Sequence, residues 1–116
     1  MSSAFAMSAG EPRESVMVIR VSGRIDAKTS AEFVDRCLAL RPHHGHLVLN
    51  LADVTFLSSS GVGAMMVLSE RASSDGGSLR LVAPPPPVLA PLQLLNLEAF
   101  LEIHATDSEA LAALGV

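Results

Sequence analysis

Apolar and polar positions along this chain switch repeatedly between two periods, strand-length apolar runs and stripes at helical spacing. Ser15 to Ser22 (SVMVIRVS) is β-branched and apolar on both faces, as a strand at the centre of a sheet should be. Gly23 marks a bend, and Arg24-Ile25-Asp26 leads into a helix. There Thr29-Ser30-Ala31-Glu32 matches a capping box, with Thr29 expected to bond the first-turn amides and Glu32 to reach back. Phe33, Val34, Cys37 and Leu38 give that helix one buried stripe, which ends before Pro42. After the loop His43-His44-Gly45, a strand is predicted over His46 to Leu51. Ala52-Asp53 then turns into a short apolar run, Val54 to Leu57.

That run stops at Ser58-Ser59-Ser60-Gly61-Val62-Gly63, and an apolar helical pattern follows at once. A helix from about Gly61 to Ala72 carries Val62, Met65, Met66 and Leu68 at core spacing, and Asp75-Gly76-Gly77 stops it. Ser78 to Ala83 is another strand. Pro84 to Pro87 predict an extended segment, and a helix is expected around Ala90 to Leu97 with Pro91 in its first turn. Leu101 to Ala105 reads as a last strand. Asp107 to Leu114 reads as a last helix, capped by Asp107 or Ser108 and stopped by Gly115. Residues 1–12 lack periodicity and read as a mobile arm or a weak edge strand, so one domain is expected over 13–116. Strands alternating with helices argue an open α/β sheet of four or five strands.

Composition narrows what such a domain can do. The chain has 116 residues, a common domain size, and 49% of them are hydrophobic against 17% charged, which excludes wholesale disorder. A net charge of −4, with no Trp or Tyr and no Lys/Arg run, argues against a nucleic-acid partner. The apolar tract Leu79 to Leu101 is broken by Arg80, five prolines, Asn96 and Glu98, so no membrane insertion is expected. Cys37 stands alone and reads as a small core residue; a single thiol implies a reducing compartment, and a cytoplasmic location is expected.

The serine-rich turn is the stretch built for chemistry. Amides of Gly61, Val62 and Gly63 are expected at or near the helix start, lacking intrahelical acceptors and backed by the positive end of the dipole. Such a place suits an anion, here one made covalently by phosphorylating a serine. By position alone Ser59 reads first as an unmodified cap or turn residue, and Ser58 and Ser60 read as caps or turn residues. Gly61 and Gly63 suit close backbone approach and a flat surface for a partner. Asp26 reads equally as a partner contact or as a helix cap, and Asp53 as a turn former. His43, His44 and His46 lack a supporting carboxylate or thiolate and read as exposed loop residues, so neither metal nor other cofactor is expected. A hydrolase elbow needs a glycine two residues before its nucleophile, and a phosphate-binding loop needs a Lys where Ala64 stands. An enzyme is not expected.

Order of elements and the residues of the turn together resemble the STAS domain, the fold of bacterial anti-sigma-factor antagonists. The likeness runs from about Val16 to the C-terminus. It rests on Gly23-Arg24-Ile25-Asp26 with Thr29, on Leu47-Val48-Leu49-Asn50-Leu51, and above all on Val54 to Gly63. The resemblance implies a single domain with a four- to five-stranded mixed sheet and about four helices. It also implies a binding partner, an anti-sigma factor with serine kinase activity that phosphorylates Ser59 and is met by Asp26, Thr29, Ser58, Ser60, Gly61, Val62 and Gly63. A phosphatase is a further candidate partner. The acidic residue usual before the phosphoserine is Ser58 here. Some STAS proteins have lost the phosphorylation step and serve as scaffolds of signalling complexes or as subunits of transport systems, which is the alternative reading.

Overall fold

The computed structural model describes residues 5–41, 45–98 and 100–115. Five strands form one sheet in the order β1 (Phe5–Arg13), β2 (Val16–Ile25), β3 (His46–Leu57), β4 (Leu79–Val82) and β5 (Glu102–His104). β1 runs antiparallel to β2, and all later neighbours are parallel. The mixed α/β sheet read from the sequence is therefore present. Residues 5–13, set apart in that reading as arm or weak edge strand, belong to the sheet as its edge.

Helices α1 (Ser30–Leu40), α2 (Ser59–Ser74) and α3 (Pro86–Leu94) cover one face. Phe33, Cys37, Met65, Leu68, Val88 and Leu92 meet Ile19, Leu47, Leu49 and Leu81 there. Burial pushes the Cys37 thiol up to about 12. On the other face α4 (Asp107–Leu114) sets Ala110 against Val16, Val48 and Val82. The alternation 47-49-51 against 46-48-50 along β3 is what serves two layers at once.

Several local expectations are corrected. Ala52-Asp53 is no turn between two strands, because β3 runs unbroken from His46 to Leu57. Two bulges replace it. Leu51 and Ala52 stand opposite Val21 alone, and Thr55 is left without a partner between the pairs Gly23–Val54 and Arg24–Phe56. Each extra residue shifts the pleat, so Leu51, Val54 and Leu57, three apart, all face the core. The Oδ1 of Asn50 accepts from Ala52 N at 3.1 Å, the side-chain turn expected of Asp53. Asp53 is instead exposed, 4.0 Å from Arg20.

Pro86 and Pro87 open α3 rather than an extended segment, and Pro91 lies inside it. First-turn amides have no intrahelical acceptor, so two prolines cost little there. Thr29 makes no capping bond to α1, whereas Thr106 caps α4 by accepting from Glu109 N at 3.1 Å, one residue before the expected cap. His46 is half-buried, its Nδ1 2.8 Å from Ser78 Oγ. Burial, helped by the Arg80 charge, holds its ring below the usual imidazole value. His43 and His44 lie outside the described residues.

Candidate functional site

The second bulge of β3 delivers the chain to Ser58 beside the end of β2. Ser58 is extended and acts as the N-cap of α2. Its amide donates to Ile25 O at 3.0 Å, its hydroxyl accepts from Gly61 N at 3.2 Å, and its carbonyl accepts from Val62 N at 2.9 Å. The amides expected to be open at Gly61 and Val62 are therefore taken, and Gly63 lies beyond the first turn. A helix start carries four amides without intrahelical acceptors. Here Ile25 and Ser58 occupy the first and the fourth. Those of Ser59 and Ser60 have no hydrogen-bond partner among the described residues. The donors sit two residues earlier than the sequence suggested, because α2 begins at Ser59 rather than near Gly61.

Ser59 and Ser60 are exposed at this start, and Gly63 is exposed one turn along. Gly61 and Val62 are buried and act from beneath. A Cβ on Gly61 would stand 2.5 Å from Leu57 Cδ1 and 2.6 Å from Ile25 O, so only glycine lets the helix start pack on β2. A Cβ on Gly63 would meet nothing within 4 Å; close approach does not explain that glycine.

Asp26 and Thr29 form a clasp in the loop after β2. Asp26 Oδ1 accepts from Lys28 N at 3.0 Å and Thr29 N at 3.3 Å. Thr29 Oγ1 accepts from Asp26 N at 2.9 Å and donates to Arg24 O at 3.0 Å. The Lys28 amide foremost, aided by Thr29 and Arg24, holds the Asp26 carboxyl below its usual value, against a burial penalty that acts the other way. Thr29 is buried and faces the loop's own backbone, whereas Asp26 is half-buried.

Sequence reasoning missed two groups. Phe56 is 38% exposed, and the Arg24 guanidinium lies 4.4 Å from its ring centroid. One signal was available: a strand that ends with Leu57 in the core must turn Phe56 outward. In a chain with four Phe and no Trp or Tyr, an aromatic placed so is informative. Among the described residues no three His, Cys, Asp or Glu are grouped to hold a metal, and no helix is long and apolar enough to cross a membrane.

Fold and site together define a small α/β domain that presents a hydroxyl at a helix start. The chain belongs to the STAS domain family, whose profile matches residues 10–110. It is 28% identical over 109 residues to an anti-sigma F factor antagonist of Paenibacillus polymyxa, across 91% of this chain and 92% of that one. It superposes with a TM-score of 0.83 on a crystal structure of an anti-sigma factor antagonist from Mycobacterium paratuberculosis. That protein is 26% identical, with 97% of this chain and 95% of that one covered. The phosphorylated form of the Bacillus cell fate determinant SpoIIAA shares the fold, with a TM-score of 0.65, 21% identity, and 93% and 98% covered. Within the STAS family the chain is thus similar to anti-sigma factor antagonists.

Proposed function

We propose that this domain is an anti-sigma-factor antagonist that binds an anti-sigma factor with serine kinase activity and is switched off by phosphorylation of Ser59. The observation that carries the reading is an exposed Ser59 at the first position of a sixteen-residue helix, next to two open amides. Unmodified, the surface around Ser59, Ser60 and Gly63, stiffened by the Asp26–Thr29 clasp, docks the kinase in the cytoplasm and so frees the sigma factor. The kinase brings the ATP, and the domain is its substrate. Phosphorylation adds about −1.5 to −2 charges. In the free domain the amides of Ser59 and Ser60 and the helix dipole stabilise that charge. Under a partner it must be desolvated, and a loss of about 3–4 kcal/mol weakens binding several-hundred-fold. A phosphatase then resets the switch.

Ser58 in place of the usual acid is compatible with this chemistry. Ser and Asp cap a helix comparably, so the exchange keeps the cap and removes a negative neighbour of the phosphate. Mass spectrometry after incubation with the kinase and ATP should find one phosphate, on Ser59. Ser59→Ala should bind the kinase constitutively and Ser59→Asp poorly; equal binding by the two refutes the switch. A second reading, an unmodified scaffold of a signalling complex or a transport system, draws on the exposed Leu94, Leu95 and Phe100. A chain that stays unmodified in the presence of kinase and ATP would favour it.

A further inference from the structure

The most exposed large apolar side chains among the described residues lie at the last residue of α3 and in the segment after it. Leu94 is 83% exposed, Phe100 63% and Leu95 57%. Phe100 is also one wall of a groove of about 430 Å³, whose other wall is α2 at Met66, Ser69, Glu70, Ser73 and Ser74. Its position relative to Ser59 follows from helix geometry. At about 100° per residue, Met66, Glu70 and Ser73 fall within roughly 40° of the line that Ser59 occupies on α2. Met66 lies seven residues along, about 10 Å of rise, and Ser73 about 21 Å. The groove is therefore the continuation of the serine face along one helix, on the outer side of the domain.

We infer that the groove between α2 and Phe100, together with the exposed Leu94 and Leu95 a few residues earlier in the chain, is a second docking point for the same kinase. It is filled by an apolar side chain from a segment of that protein flanked by Lys or Arg. This deepens the proposed function and rests on it. Charge selects the occupant. Glu70 lines the groove, Glu98 lies two residues before Phe100, and the chain carries a net charge of −4. An acidic side chain in an apolar groove, on a chain of net negative charge, favours a basic protein segment and disfavours both an anionic membrane surface and a second copy of this chain. A partner lying flat over Ser59 and along α2 reaches the groove without any change of shape here. The groove then supplies affinity that phosphorylation does not touch, and Ser59 supplies the switch.

The test measures the dissociation constant of the purified kinase for the Ser59→Ala chain. Phe100→Ser and the double change Leu94→Ser, Leu95→Ser are then added to that background. Both alter exposed side chains, and circular dichroism checks that they fold. We expect each to weaken binding at least tenfold, and Glu70→Lys to weaken it more at low salt than at high. Unchanged affinity, with Ser59→Asp still binding poorly, overturns the second docking point and leaves the switch standing. Failure of the Ser59→Ala chain to bind the kinase at all removes the switch and the docking point together. Phe100-dependent binding to phosphatidylcholine–phosphatidylglycerol vesicles, or a Phe100-dependent dimer in sedimentation equilibrium, overturns the inference in favour of a membrane or a second copy.

Discussion

The main-chain carbonyl of Ile25 lies 2.6 Å from the place a Cβ on Gly61 would take. The same oxygen accepts the amide of Ser58 at 3.0 Å, so the end of β2 holds the start of α2 by one bond and by close contact. Gly61→Ala puts a methyl group against backbone that is itself hydrogen-bonded. The expected cost is about 1–3 kcal/mol in urea denaturation, the usual range for overpacking. Gly63→Ala meets open space in an exposed helical turn and should stabilise by about 0.5–1 kcal/mol. The same methyl group stands on the surface proposed to dock the kinase, so Gly63→Ala should bind less well while unfolding later. Two glycines with one sequence spacing thus separate into a packing role and a surface role.

Ser58 supports a second prediction. Ser58→Ala removes the acceptor of Gly61 N and should destabilise by about 1 kcal/mol, whereas Ser58→Asp should stay within a few tenths. On the phosphorylated chain, Ser58→Asp sets a carboxylate beside the phosphate and should raise its second pKa, which lies near 6 without such a neighbour. Phosphorus NMR titration of both proteins reads this directly, and an unmoved midpoint would mean that residue 58 is electrically remote from the phosphate.

Asp26 gives a prediction in pH. Its carboxyl is held below the ordinary value, first by the Lys28 amide. A lowered folded-state pKa contributes stability above the unfolded value, near 3.9, and that contribution is lost as pH falls through the folded value. Asp26→Asn should therefore lower stability at pH 7 and narrow the gap to the unmodified chain on acidification below pH about 4. Carbon-13 NMR of the carboxyl should place its midpoint below that of a free Asp. A gap that stays constant from pH 7 to pH 3 would remove Asp26 from the clasp.

How much of this was legible in the sequence depends on the element. α2 and its serine cap could be read, because hydroxyls before an apolar helical stripe carry a local mechanism. The end of β3 could not. Leu51, Val54 and Leu57 repeat at three, a period that belongs to neither a flat strand nor an isolated turn, and only pairing with β2 makes the two bulges. α3 was placed late because four prolines look extended until two of them serve as a first turn. Thr29 has the spacing of a capping box, yet its hydroxyl is drawn to Arg24 and Asp26 by a loop whose shape is tertiary. The serine face was visible and its donors were misplaced by two residues, since a helix boundary is the least certain part of a local pattern.

Asn50 ties that unread strand end to the far side of the sheet. It is buried, accepts from Ala52 N across the first bulge, and donates through Nδ2 to Asp107 Oδ1 at 3.0 Å. Both ends of its amide are used, so either exchange to a single-function group leaves one partner unsatisfied, at about 1–3 kcal/mol. Asn50→Asp is the sharper change. It keeps an acceptor for Ala52 and replaces the donor to Asp107 with a second carboxylate. One proton shared between the two acids is stable at low pH, so the pair titrates above the ordinary carboxylate range in the folded state. That contribution is present below pH about 4 and is lost as pH rises through the raised value. The melting temperature of Asn50→Asp should lie near that of the unmodified chain at pH 4 and fall below it by about 5–10 °C at pH 7. Adding Asp107→Asn re-creates the pair with its roles exchanged and should restore most of the loss. A deficit independent of pH, or no rescue, would mean that the bond to Asp107 does not hold the bulge in place.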